Sequence, residues 1–360
     1  MAKHYQDKNR RIEGAPLESA AAVADGQRAG KKKRKKSFWQ RTFPCKGDSA
    51  GQVILKLLTI IAFLVFLISA GVLLYQGVLL PGLNEKKAQE LRSIYTQAQE
   101  ETVSQEPGED GVLPKFEPLL EVNADIKGWL TIPNTVIDYP VLQPAPGVDP
   151  EYYLYRDYTG QDNNHGSIFI DAASSEGTES KNIILHGHHM RDGQMFNNIM
   201  KYCDYDFYRT TPVFTFDSLH EEAQWKVVAV FKANVLASQG EPFAYLRGSF
   251  ADDSDFLNYV YQVRERSIID TGVTVNEDDQ LITLSTCSYE FDDFRTVVVA
   301  RKVRPGEDAQ VDTSGAAYNP NPLYPDIWYE TYGGTAPELT SFEEALAAGQ
   351  ISWYDGALAP

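Results

Sequence analysis

The chain is 360 residues long and carries a formal net charge of −17, unevenly spread. Residues 1–52 hold 13 Lys/Arg against 5 Asp/Glu, a balance of +8, which leaves −25 on the remaining 308 residues. So acidic a bulk argues against nucleic acid as a partner, and the length allows one or two domains with a real core.

In chain order, residues 1–52 form a basic tail poor in large apolar groups, for which disorder is expected. Its run Lys31–Lys36 stands just before an apolar segment. Residues 53–80 are almost wholly apolar apart from Lys56, and as a helix they would span about 42 Å, more than the roughly 30 Å of a bilayer's hydrocarbon core. This predicts one transmembrane signal-anchor helix, stopped by Pro81-Gly82. The Lys/Arg-rich flank keeps the N-terminus in the cytoplasm, so everything after the anchor lies outside. Residues 81–114 read as a helical stalk and linker: Asn84 to Glu101 places Leu91, Ile94, Tyr95 and Ala98 on one face, and Pro-Gly with several acids follows.

A compact domain is expected over 115–304. Eight strands are predicted, at 128–132, 136–141, 167–171, 182–186, 213–217, 224–233, 280–286 and 296–303. A helix, Asp253 to Arg266, lies between the sixth and seventh, with Asp252, Asp253 or Ser254 able to cap it and an apolar face of Phe256, Leu257, Val260 and Val263. A short helix is expected at 116–122 and another at 194–201. Many strands and few helices predict a mainly β fold, a closed or nearly closed barrel. Residues 305–360 form a C-terminal extension rich in Pro, Gly, Tyr and Trp, with one short capped helix at 341–346 and no assignable role.

Two stretches carry chemistry. Leu281 to Thr286 reads as a buried strand ending at Cys287, and Arg295 opens the returning strand. If the strands pair, thiol and guanidinium meet at one rim. A neighbouring cation favours the thiolate, and a fixed guanidinium stabilises an oxyanion. Taken alone, these residues read as a buried structural cysteine and a surface arginine, since Cys is among the most buried residue types. The second stretch, Asn182 to Met190, holds His186, His188 and His189, three of the six histidines, at a strand exit. It fits a Cys–His nucleophilic site or, with Asp192 and a cysteine, a zinc site. Cys203 and Cys287 alone share the outer compartment, as one disulfide or two thiols.

Thr283-Leu284-Ser285-Thr286-Cys287 with a downstream arginine resembles the signature of sortases, the cysteine transpeptidases of Gram-positive surfaces. The run from Gly128 to Val141 is similar to the start of the class B sortase domain, and Gly166 to Asp171, Gly187 to Met190 and Gly193 to Phe196 fit the same class. The resemblance spans about 115–304 and leaves the first 50 residues and the extension uncovered.

It implies an eight-stranded sortase-type barrel. It also implies Cys287 as nucleophile, His188 as general acid and base, and Arg295 as oxyanion and substrate clamp, with Ser285 and Thr286 lining the substrate groove. His188 is taken over His189 because it directly follows the glycine. Arg301 lies six residues, about 20 Å, beyond Arg295 along the strand. The implied activity cleaves a sorting signal through a thioester and transfers the protein to an amine, with no metal or organic cofactor. The implied partners are secreted proteins bearing a C-terminal sorting signal, a peptidoglycan precursor or other amine acceptor, and the membrane through 53–80. Two other readings stand beside it: an extracellular zinc hydrolase built on the His186–His189 cluster, and a non-enzymatic binding domain with a structural Cys203–Cys287 disulfide.

Overall fold

The computed structural model describes residues 37–103 and 105–357 and divides the chain at Val72/Leu73 into two units. The expectation of disorder falls, for residues 1–36, outside the described residues. Within the first unit, a short helix α1 (Phe38–Thr42) is closed by a capping box between Ser37 and Gln40, so the tail holds structure here. Helix α2 (Ala50–Leu74) exposes its apolar side chains all round. It belongs to a helical run that is, by length and composition, long enough and apolar enough to cross a membrane.

Pro81-Gly82 does not stop this run. A π-helical turn at Tyr75–Leu79 precedes helix α3 (Leu80–Thr102), in which Pro81 occupies the first turn. A proline there has no N–H to leave unsatisfied within its own helix, and a wider turn before it relieves the ring's clash with the preceding carbonyls. Nor is α3 a free stalk. Leu91, Tyr95 and Ala98 are buried, as the periodicity predicted. Tyr95 stacks on Trp129 with ring centroids 4.3 Å apart and donates its hydroxyl to Asp217 at 3.0 Å. A buried leucine or aromatic stabilises by about 1.5–3 kcal/mol, enough to hold the helix against the domain.

After the short helix α4 (Glu117–Val122), eight strands close a barrel: β1 (Ile126–Thr131), β2 (Asp138–Leu142), β3 (Ile168–Ile170), β4 (Asn182–His186), β5 (Val213–Ser218), β6 (Gln224–Ala233), β8 (Leu281–Ser288) and β9 (Phe294–Lys302). The order around the barrel is β1-β2-β3-β4-β8-β9-β6-β5. The pairs β2/β3 and β4/β8 are parallel and the others antiparallel. Each expected strand is present, within two residues of its expected ends. Strand alternation sorts the side chains. Ile183, Leu185, Ile282, Leu284, Val298 and Ala300 fill the interior. Leu281, Val297, Val299, Ala229 and Phe231 face outward beneath α6 (Asp253–Arg266), which is capped by Asp252.

The short helix expected at 194–201 is a 3-10 helix, Phe196–Cys203. Helix α5 (Tyr205–Thr210), capped by Asp204, follows. The extension adds β10 (Ala317–Tyr318), paired with β7 (Ile269–Asp270), then α7 (Asp326–Tyr332) and α8 (Phe342–Ala347). The capping box of α8, Ser341 with Glu344, is the one the sequence signals.

Candidate active site

The β8–β9 register places Cys287 directly opposite Arg295. Directly paired residues have Cβ atoms about 4.5–5.5 Å apart. Both share the outward parity of Leu281 and Val297, but they stand at the end of the hairpin, where both are half-buried. They open into a cleft of about 720 Å³. Strand β4 runs parallel to β8, with His186 paired to Ser285, so the β4 exit delivers His188 into the same cleft. Gly187 is required at this exit: a Cβ there would meet Ile168 at 2.6 Å and Phe196 at 2.8 Å.

His188 donates Nε2–H to the carbonyl of Leu154 at 2.8 Å. A carbonyl only accepts, so this contact fixes the proton on Nε2 and leaves Nδ1 as the nitrogen able to exchange one. Burial lowers the His188 pKa; the Leu154 contact opposes the shift, and His165 adds to it. The Leu154 carbonyl is itself set by Gly166, at φ +60, whose missing Cβ would collide with that oxygen.

The other two histidines of the cluster turn elsewhere. His186 Nε2 meets Asp171 at 2.7 Å. Burial raises the Asp171 carboxyl, but the His186 bond and the Ala173 N–H outweigh it and hold the group below its ordinary value. His189 donates Nδ1–H to the Cys287 carbonyl at 2.9 Å and stacks on Tyr289. Three rings with three different partners do not converge on one point. Among the described residues no group of three or more His, Cys, Asp or Glu side chains could hold a metal ion.

Ser285 and Thr286 both line the cleft, yet neither side chain is free. The Ser285 hydroxyl meets Tyr245 Oη at 2.9 Å. Thr286 points to the opposite face and donates to the Gly187 carbonyl at 2.7 Å, tying β8 to the turn that carries His188. Arg301, the other arginine of β9, pairs with Leu281 at the far end of the hairpin, where Glu307 holds it bidentately at 2.6 and 2.7 Å. Cys45, Cys203 and Cys287 are all free thiols.

Further contributors are marked by no motif of the sequence. Tyr245 and Leu246 wall the cleft from the long β6–β7 connection. The Leu154 carbonyl is a backbone atom, on which sequence is silent. His165 is buried behind the His188 loop: its Nδ1 accepts from Asn84 at 2.7 Å and its Nε2–H donates to Asp192 at 2.6 Å. Asn84 Oδ1 already accepts from Asn163 at 2.8 Å, which leaves its amide donor for His165 and fixes that tautomer.

Closed barrel and rim together describe a β-barrel protein with a cysteine-centred cleft. The sequence model of the sortase domain family matches residues 130–303. Sortase B of Listeria monocytogenes is 33% identical over 240 residues, 66% of this chain and 91% of that protein. The Staphylococcus aureus sortase B–substrate complex superposes with a TM-score of 0.55 at 27% identity, covering 63% of this chain and 99% of that one. A sortase B of Bacillus anthracis gives 0.53 at 32% identity, over 61% and 96%. The chain belongs to the sortase family, within its class B, and is a cysteine transpeptidase of the cell-wall sorting kind.

Proposed function

We propose that this protein is a membrane-anchored transpeptidase with Cys287 as nucleophile, His188 as general acid and base, and Arg295 as oxyanion and substrate clamp. The observation that carries the reading is the register setting Cys287 opposite Arg295 in the cleft that also receives His188. The Cys287 thiolate attacks the backbone carbonyl carbon of a sorting-signal residue, a threonine by family analogy. The oxyanion so formed is met by the Arg295 guanidinium. His188, having taken the Cys287 thiol proton on Nδ1, gives that proton to the leaving amine as the C–N bond breaks, and a thioester remains. An amine, such as that of a peptidoglycan precursor, then attacks the thioester. His188 takes up its proton, an amide forms and the thiol is released.

The S. aureus sortase B, solved as a substrate complex, supports a substrate-binding role for this fold. Ser285 and Thr286 shape the groove through Tyr245 and Gly187 rather than by free hydroxyls. The apolar helix flanked by Lys and Arg supports residues 53–80 as the anchor, 1–52 as cytoplasmic and 115–304 as an extracellular catalytic domain.

The test is mass spectrometry and a transfer assay on the full chain in detergent, offered a library of short Thr-containing peptides and a small amine. Wild type should form an acyl adduct on Cys287, and Cys287→Ala should form neither adduct nor product. Arg295→Lys should be severely impaired although the charge is kept, because Lys lacks the planar fork. His188→Ala should lose nearly all turnover, while His189→Ala keeps a large fraction. Turnover by Cys287→Ala, or loss of wild-type activity to a chelator, would replace this reading with the zinc hydrolase.

A further inference from the structure

The family match ends at residue 303, yet the chain continues along the domain and returns to the catalytic rim. The path is held by backbone bonds. β10 pairs with β7, the Asn319 amide donates to the Ile268 carbonyl at 2.8 Å, and the Leu323 amide to that of Glu265 at 2.8 Å. Helix α7 follows. Its Ile327 amide donates to the Gln239 carbonyl at 3.1 Å, and the Gln239 side chain donates to the Asp292 carbonyl at 2.8 Å. Gly240 packs against Asp326 so closely that a Cβ would meet it at 2.8 Å.

Asp292 lies in the five-residue connection 289–293 between β8 and β9. The same connection is gripped by rings. Phe291 sits edge-on to Trp328 at 6.2 Å, against Tyr332 at 6.0 Å and edge-on to Phe294 at 5.0 Å. Trp328 is backed by Tyr324, stacked at 4.2 Å. Next to Phe294, Asp293 holds a left-handed φ of 53° without being glycine. Such a conformation persists only where the surroundings over-determine it, and it sits two residues before Arg295.

We infer that residues 317–332, seated on Gln239 of the β6–β7 connection, form a brace that fixes the 289–293 connection and so holds Arg295 opposite Cys287, with Gln239 and Trp328 as the positioning residues. The inference rests on the role given above to Arg295. Positioning acts on the transition state: a misaligned guanidinium forfeits oxyanion stabilisation while leaving most of the groove that binds peptide.

The experiment uses the full chain in detergent and a short Thr-containing peptide that acylates the wild type. Trp328→Ala and Gln239→Leu should each lower kcat about tenfold or more with KM changed less than about twofold, and Trp328→Phe should restore most of the loss. Trp353→Ala is the control. Trp353 lies in the same extension but packs on Phe342 and over Arg264, away from the connection. It should lower the melting temperature and leave the kcat of the folded protein unchanged. A kcat within twofold of wild type for both Trp328→Ala and Gln239→Leu overturns the brace, as does an equal loss in Trp353→Ala. Arg295→Lys is measured alongside: full activity there overturns the Arg295 assignment, whereas impairment there with intact brace variants overturns the brace alone.

Discussion

His188 meets its surroundings through Nε2, anchored on a backbone carbonyl, and is kept more neutral than an exposed histidine by burial. The consequence for stability has a definite sign. With its pKa lowered in the fold from an ordinary 6.5, the unfolded chain takes up the proton more readily. The stability from the neutral ring is therefore full above that value and is lost as pH falls through it. Between about pH 7 and 5 the melting temperature of wild type should fall more steeply than that of His188→Gln. Parallel curves would contradict the burial argument. Cys203 is a half-buried free thiol whose pKa burial pushes up. Cys203→Ala should form the Cys287 acyl adduct at close to the wild-type rate, with a stability loss of about 1 kcal/mol from the small cavity. A folded Cys203→Ala protein without the adduct would show that this thiol belongs to the chemistry. Thr286→Val keeps the shape but removes the donor to Gly187. The His188 turn then loses one of its ties to β8, the Gly187 amide to the Ser285 carbonyl and His189 to the Cys287 carbonyl remaining, so kcat should drop with KM little changed. An unaltered kcat would show that Gly187 and its neighbours hold the turn without it.

At the scale of elements, the β8–β9 hairpin is pinned at both ends by different means. One end carries the cleft. At the other, Arg301 is only 1% exposed and is satisfied by Glu307, the Thr274 carbonyl and, at 3.8 Å, Asp279. The bidentate Arg301 contacts, with Lys226 beside them, hold the Glu307 carboxyl far below the usual range. Glu307→Gln leaves a buried guanidinium short of its main counter-charge, which should destabilise by about 3 kcal/mol. Chemical denaturation should show this as a lower midpoint at unchanged slope; an unshifted midpoint would mean that Asp279 compensates. A tie of this kind explains why the first residues of the extension belong to the barrel's own hydrogen-bond network rather than to a trailing tail.

For the whole molecule, charge and apolar length make a topological statement. The N-terminal flank is basic, the remainder strongly acidic, and one helical run is long enough and apolar enough to span a bilayer. Protease added to cells stripped of wall should digest the chain after residue 84 and spare the basic tail. Protection of the barrel with digestion of the tail would reverse the orientation.

Much of this protein was legible from its residues, because the signals are local. Alternation marks each barrel strand, a capping residue among Asp252 to Ser254 and an apolar stripe mark α6, and a 28-residue apolar run marks the helix long enough to span a membrane. Cys287 and Arg295 could be set together from sequence because only a short hairpin connection separates them, so pairing leaves little choice of register. The rest required the closed fold. His188 reaches the cleft because β4 lies parallel to β8, a neighbour 99 residues away from it in sequence. The anchoring of its ring on the Leu154 carbonyl, the Asn84–His165–Asp192 chain and the return of α7 to Phe291 join atoms from remote segments, some of them backbone. Such contacts leave no periodicity or motif behind, since only three-dimensional closure brings the partners within bonding distance.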